Sequence, residues 1–269
     1  MCLVWKLGIK IANPAKHWNL FINKIILITG ASRGIGAETA RLAAQAGFDV
    51  CVNYHSNESA ALEVLDAVIA TGQRGIAVKA NIANEAEVAD LFKTVDQQLG
   101  PISALVNNAG ILEQQSDLED VSLERFKRIF ETNVYGSFLC LREAVKRMSH
   151  KNGGKGGSIV NVSSRAALLG SAHEFVDYAA SKGAIDTMTI GLANEVGDQG
   201  IRVNAVRPGL IYTDMHASGG EAGRVDRLKV GVPMSRGGLP TEVAQAILWL
   251  ISDDSAYTTG SFIDVSGGR

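Results

Sequence analysis

Tyr178 and Lys182, in the run Tyr178-Ala179-Ala180-Ser181-Lys182, are the residues whose types and spacing could do proton chemistry. Four residues apart on a helix, they share one face with Cβ atoms about 5–6 Å apart, so an ammonium can lie beside a phenol. A free phenol, with pKa about 10, is a poor base at neutral pH, and a fixed cation favours its phenolate. Bringing that pKa to about 7 takes roughly 4 kcal/mol, which calls for a partly buried ammonium and a second positive group. With 5 Tyr and 12 Lys in 269 residues, such a pair arises by chance about 0.2 times per chain. Its meaning depends on the elements that would position it.

The first of these is Ile25-Ile26-Leu27-Ile28, a continuous apolar run of the kind found in a strand buried on both faces of a parallel sheet. Thr29-Gly30-Ala31-Ser32-Arg33-Gly34-Ile35-Gly36 follows it, and then an Ala-rich helix over 37–46, closed by Gly47. A strand, a glycine turn and a helix N-terminus form a pyrophosphate site: glycines admit phosphate to the backbone, and free N–H groups with the helix dipole favour the anion. A second strand over 49–53 leads into Tyr54-His55-Ser56-Asn57, where a ribose-binding carboxylate would stand. None is present, and Arg33 lies within the glycine loop, which favours NADP over NAD; His55 is a poorer phosphate partner than an arginine.

Strand-like runs recur at 75–79, 103–106, 158–163, 201–207 and 261–265. Helical runs alternate with them at 57–71, 84–99, 122–148, 176–196 and 241–251, with Asn84 as a cap. This alternation predicts an α/β fold: a doubly wound parallel sheet of about seven strands with helices on both faces, the Rossmann arrangement. We expect one such domain over 24–269, preceded by an extension over 1–23 of unknown role. That extension lacks a signal-peptide pattern, and no later run is long and apolar enough to span a membrane. Hydrophobic residues at 46%, charged residues at 20% and a net charge of −2 argue against a nucleic-acid partner. Cys2, Cys51 and Cys140, without a C-x-x-C pair, suggest neither a disulfide framework nor a metal site and fit a reducing cytoplasm.

Thr29-Gly30-x-x-x-Gly34-x-Gly36, Asn107-Asn108-Ala109-Gly110, Ser163-Ser164, Tyr178-x-x-x-Lys182 and Arg207-Pro208-Gly209 occur in this order. Together they resemble the short-chain dehydrogenase/reductase family over residues 24–269. The chain is most similar to the short branch that includes 3-oxoacyl-carrier-protein reductases and glucose 1-dehydrogenases. The resemblance implies hydride transfer between a nicotinamide cofactor and a small-molecule carbonyl or alcohol, 3-oxoacyl and sugar substrates being named possibilities. Tyr178 would be general acid or base. Ser164 would hydrogen-bond the reacting oxygen, although strand alternation leaves Ser163 as its neighbouring rival. Lys182 would bind the nicotinamide ribose and lower the Tyr178 pKa. Asn133 would support a water chain from Lys182, a structural polar contact being the alternative.

For the cofactor, the resemblance implies Gly30, Ser32, Arg33, Gly34, Ile35, Gly36, Tyr54, His55, Asn81, Ile82, Asn108, Ala109, Gly110, Tyr178, Lys182, Pro208, Gly209, Ile211 and Thr213. Asn81 stands where relatives often carry Asp, and its amide oxygen can still accept. Thr213 could instead cap a helix. The spacing from Ser164 to Tyr178 is one residue longer than in many relatives, which places an extra residue around His173-Glu174-Phe175. A Gly-rich stretch over 214–238 is expected to form a lid, with His173, Glu174, Phe175, Met215 and His216 facing the substrate. The basic positions that carrier reductases use are matched by Lys155 and Gln199, only half a match. Relatives also self-associate as dimers or tetramers through the 122–148 and 176–196 helices. A cofactor-binding sensor without turnover is the non-enzymatic alternative, which retention of Ser, Tyr, Lys and Asn disfavours.

Overall fold

The computed structural model describes residues 24–269, so the expected 1–23 extension lies outside the described residues. Seven parallel strands form one sheet in the order β3-β2-β1-β4-β5-β6-β7. They are β1 (Ile25–Ile28), β2 (Asp49–Tyr54), β3 (Gly75–Lys79), β4 (Ala104–Asn107), β5 (Gly157–Val162), β6 (Ile201–Pro208) and β7 (Phe262–Val265). Every residue of β1, β2 and β4 is buried, which explains the unbroken apolar run of β1 and the mostly apolar character of the other two.

Ten helices connect the strands: α1 (Gly34–Gln45), α2 (Glu58–Ile69), α3 (Glu85–Gln98), α4 (Leu123–Phe130), α5 (Ser137–Met148), α6 (Ala166–Leu169), α7 (Val176–Val196), α8 (Met215–Ser218), α9 (Arg224–Leu228) and α10 (Pro240–Ile251). Strand alternation divides the core. Ile26, Ile28, Val50 and Val106 pack with Ala40 of α1, Val64 of α2 and Ile247 of α10. Ile25, Leu27, Cys51 and Leu105 pack on the other face with Phe92 of α3, Ala144 of α5 and Val196 of α7. The doubly wound arrangement is therefore present, with both faces covered. Asn84 caps α3 as expected, its Oδ1 accepting from the Ala86 and Glu87 N–H groups.

The expected helix from 122 to 148 is interrupted. Residues Glu131–Gly136 wind as a π-helical turn between α4 and α5. Such turns replace the i→i−4 ladder locally and commonly accompany functional side chains. Here the buried side chain within the turn is Asn133. The chain leaves β1 for β2 on one side and returns from β3 to β4 on the other, and at this reversal of strand order a crevice opens at the C-terminal ends of the strands.

Candidate active site

That crevice is a cleft of about 1010 Å³, running from the glycine turn after β1 to the start of α7. The turn is held by buried hydrogen bonds. Thr29 Oγ1 accepts from the backbone N–H groups of Asn108 and Ala109, and Asn108 Nδ2 donates to the carbonyls of Thr29 and Gly30. Gly30 has φ of +61°, and a Cβ there would lie 2.9 Å from the Ala109 Cα. Only glycine fits that position. α1 then begins at Gly34 with no side-chain cap, so its first N–H groups are free at the cleft wall.

The residues expected at the site line this cleft except Gly36, Tyr54, Asn133 and His173, the last being exposed with its Nδ1 bonded to Asp117. Gly36 instead lets α1 approach the turn, since a Cβ there would lie 2.6 Å from Asn108 Nδ2. Tyr54 is turned by strand alternation into the core formed with α1 and α2, and Asn53 and Ser56 line the cleft in its place. Asn53 Oδ1 accepts from the Gly30 N–H, a contact the sequence reading missed because an Asn within a strand carries no recognisable spacing. Asn133 sits behind the wall. Its Oδ1 accepts from Ile111 N–H, and its Nδ2 donates to Ile111 O and Ser181 Oγ. Gly110 leaves the room this arrangement needs, a Cβ there lying 3.3 Å from Asn133 Oδ1 and 3.5 Å from Lys182 Nζ. Asn81 Oδ1 is engaged by the Ala83 N–H. The cap position of α8 falls on Asp214, so Thr213 is not its cap.

Tyr178 and Lys182 lie on α7 as the four-residue spacing predicts, with Lys182 Nζ 5.6 Å from the centre of the Tyr178 ring. Lys182 Nζ donates to the Val162 carbonyl at 2.8 Å, the last residue of β5. Burial pushes the Tyr178 phenol up to about 12, opposed by a hydrogen bond with Ser164 and by the charge of Arg224. Burial also brings Lys182 down to about 8, opposed by Asp186. Desolvation of the phenolate is the largest influence on Tyr178, and the groups that oppose it are Ser164 and Arg224. The two serines part as alternation requires. Ser163 Oγ donates to the Lys182 carbonyl inside the protein, while Ser164 is the one that faces Tyr178.

The 214–238 stretch folds as α8 and α9 over the cleft, tied down by a few backbone hydrogen bonds, such as Gln115 N–H to the Gly219 carbonyl, and by charged side chains. Arg224 Nη2 and Nε bond Glu174, and Arg224 packs over the Phe175 ring at 5.3 Å. Arg227 holds Glu221, which also accepts from Gln115. Glu174 is presented by a loop in which Ser171 and His173 adopt positive φ of 50° and 61°. Non-glycine residues hold that conformation only where their surroundings impose it, and this is where the extra residue was expected. His216 lines the cleft as anticipated, its Nε2 bonded to the Ile211 carbonyl, and burial lowers its pKa so that the ring is neutral. Arg224 and Arg269, both on the cleft wall, gave no signal in the sequence, being 46 and 91 residues from Tyr178. Lys155 and Gln199 immediately precede β5 and β6, which puts them at the N-terminal edge of the sheet, opposite the cleft.

A family described as enoyl-(acyl carrier protein) reductase matches residues 30–269. The chain is 59% identical to the uncharacterized oxidoreductase YgfF of Escherichia coli K12, covering 91% of this chain and 99% of that protein. It is 39% identical to a 3-oxoacyl-[acyl-carrier-protein] reductase of Synechocystis, over 91% and 96% of the respective chains. A short-chain type dehydrogenase/reductase from Mycobacterium marinum superposes with a TM-score of 0.87 at 33% identity, covering 93% of this chain and 96% of that one. With this cleft, this sheet order and these likenesses in agreement, the chain belongs to the short-chain dehydrogenase/reductase family of oxidoreductases.

Proposed function

We propose that this protein transfers hydride between NADP and a small-molecule carbonyl or alcohol, with Tyr178 moving the proton at the substrate oxygen. The observation that carries this reading is the convergence of Tyr178, Ser164 and Lys182 on one cleft whose far end is an uncapped helix behind a glycine turn. Those free N–H groups suit a pyrophosphate, and the cleft is long enough for a dinucleotide with a small substrate beside it. Gly30, Ser32, Gly34 and Ile35 would hold the phosphates, Asn81 and Ile82 the adenine side, and Pro208, Gly209, Ile211 and Thr213 the nicotinamide side. At the ribose end the wall carries Arg33, His55, Ser56 and Asn57 and no carboxylate, which supports NADP over NAD.

The bound nicotinamide would supply or take up the hydride at the substrate carbon. The protein's own part is proton transfer and positioning. A Tyr178 phenol held near pKa about 12 is protonated at neutral pH and stands ready to donate to a carbonyl oxygen as negative charge develops there. Ser164 holds the same oxygen from the second side. Lys182, anchored by the Val162 carbonyl, presents its ammonium beside the phenol and favours the phenolate that donation leaves. Asn133 acts through structure, pinning the Ile111 backbone and Ser181 so that the floor under Lys182 stays fixed.

Reduction of a 3-oxoacyl group is one form of this chemistry, drawn from the likeness to the Synechocystis reductase. The reading is tested with a ketone and alcohol panel run separately with NADPH and NADH. Turnover preferring NADPH is expected. A clear NADH preference overturns the cofactor assignment, and cofactor binding without turnover on any carbonyl turns the protein into a sensor. Self-association as a dimer or tetramer through α4, α5 and α7 belongs to the same proposal. Leu123, Phe126, Tyr135 and Phe138 are exposed along α4, α5 and the turn between them. On α7, Ile185, Met188 and Leu192 face the core, leaving Ile190 exposed.

A further inference from the structure

The substrate end of the cleft carries a surplus of guanidinium donors over the acceptors that the described residues supply. Three guanidinium groups, Arg224, Arg227 and Arg269, gather around two carboxylates, Glu174 and Glu221. Glu221 is taken up by Arg227 and Gln115. Glu174 serves Arg224 and, more distantly at 3.5 Å, Arg227. Asp214, also on the cleft wall, is exposed and pairs with neither Arg224 nor Arg269 among the described residues.

The surplus has a definite place. The Arg224 side chain is only 10% exposed, yet its bonds to Glu174 use Nε and Nη2 alone. Its Nη1 has no hydrogen-bond partner among the described residues, although Arg224 lines the cleft. The Phe175 ring under the guanidinium fixes its plane. Arg269 lines the same cleft and feels both the repulsion of Arg224 and the attraction of Glu174, but its side chain makes no hydrogen bond or ion pair among the described residues. Arg224 is also close enough to Tyr178 for its charge to act on the phenol. An open guanidinium edge that faces a cleft is best completed by a planar carboxylate, which can take two parallel hydrogen bonds from it. A lid clamp alone would require only the Arg224–Glu174 pair; it leaves the open Nη1 and the unpaired Arg269 without a purpose.

We propose that the substrate carries its own carboxylate, an oxo acid or the corresponding hydroxy acid, and that Arg224 Nη1 and Arg269 bind this group while Tyr178 and Ser164 hold the reacting oxygen. This rests on the hydride-transfer reading above and names the class of substrate for it. The reaction balances without further reagents: hydride from NADPH forms the new C–H bond at the carbonyl carbon, the C=O π pair becomes an O–H bond with the Tyr178 proton, and the carboxylate is untouched.

The test uses the full chain with NADPH and pyruvate, acetoacetate and levulinate, each against its ethyl ester. At least one acid should exceed its ester in kcat/KM by about tenfold or more, the value of a charge-assisted hydrogen bond. Arg224→Met should erase that preference mainly through KM, Arg224→Lys should restore part of it, and Arg269→Met, which leaves the Glu174 pair intact, should lower it by itself. A second measurement does not depend on turnover: calorimetric binding of the three acids, with and without oxidised NADP, to wild type and to both Met variants, each checked for a native melting transition. Esters turned over as well as acids, or acid binding unchanged in both variants, overturns this inference and leaves the hydride-transfer reading standing. Acid binding that depends on Arg224 or Arg269 without reduction of any carbonyl sustains the inference while removing that reading. Neither acid preference nor acid binding overturns it outright.

Discussion

The two ends of the cleft are built by different means. At the glycine turn, the wall is backbone: Thr29, Asn53 and Asn108 spend their side chains on main-chain groups of the turn and of the neighbouring strand ends. At the lid, the wall is side chain: Arg224, Glu174, Arg227 and Glu221 join α9 to the loop before α7 through charge pairs that are partly open to water. The first construction fixes a geometry that any dinucleotide can use. The second fixes a pattern of charge, and exchanging one residue rewrites it without disturbing the sheet. A scaffold of this kind holds its cofactor site constant while its substrate site varies.

The sharpest way to break this division is at Tyr178, which stands between the ends. Tyr178→Phe should lower turnover by about 10²- to 10⁴-fold, the usual worth of a positioned proton donor, while NADPH affinity stays within a few-fold. Stopped-flow or steady-state absorbance, with cofactor fluorescence titration alongside, reads both. A parallel collapse of cofactor affinity would mean that the two ends are a single unit.

Next in size is Thr29→Val. It leaves the Ala109 N–H without its acceptor, at about 1–3 kcal/mol, while the Asn108 N–H keeps the Val106 carbonyl. Chemical denaturation should register that loss together with weaker NADPH binding. Glu221→Gln, at the lid, should cost less stability than Thr29→Val because its partner Arg227 is half exposed. The reverse order would sink the contrast.

How far each end was legible follows from the same difference. Thr29, Gly30, Gly34 and Gly36 are close in the chain, and their spacing reports a backbone shape directly, so the phosphate end and the strands beside it could be anticipated. Tyr178 and Lys182 were legible for a similar reason, a helix fixing the distance between them. Asn53 was not, since its partner Gly30 lies 23 residues away. Tyr54 was assigned to the cleft although alternation turned it inward, a one-residue matter that an undetermined strand phase leaves open. Arg224 and Glu174 are 50 residues apart and meet only because α9 folds back, and no local pattern announces that.

The smallest expected effect concerns Lys182, which touches both ends. Its folded pKa lies below the usual value, at about 8, so the ammonium is intact below that pH and is lost as pH rises through it. If the charged form holds the cofactor, NADPH affinity should be level on the acid side and decline a few-fold to about tenfold above pH 8, as a charge-assisted bond becomes a neutral one. Titrations across that range check it, and a flat profile would remove Lys182 from the cofactor site.

The π-helical turn has one further effect, on phase. From α4 into α5 the inward residues are Arg125, Ile129, Asn133 and Ser137, each four after the last. On a regular α-helix a strict interval of four drifts around the axis by about 40° per step, so such a stripe would spiral off the sheet within a few turns. The wider turn at Glu131–Gly136 absorbs that drift, and the stripe passes on to Cys140, Ala144 and Met148 without leaving the core. The extra backbone length thus works as a vernier, letting a polar residue be set at one chosen depth in an otherwise apolar face.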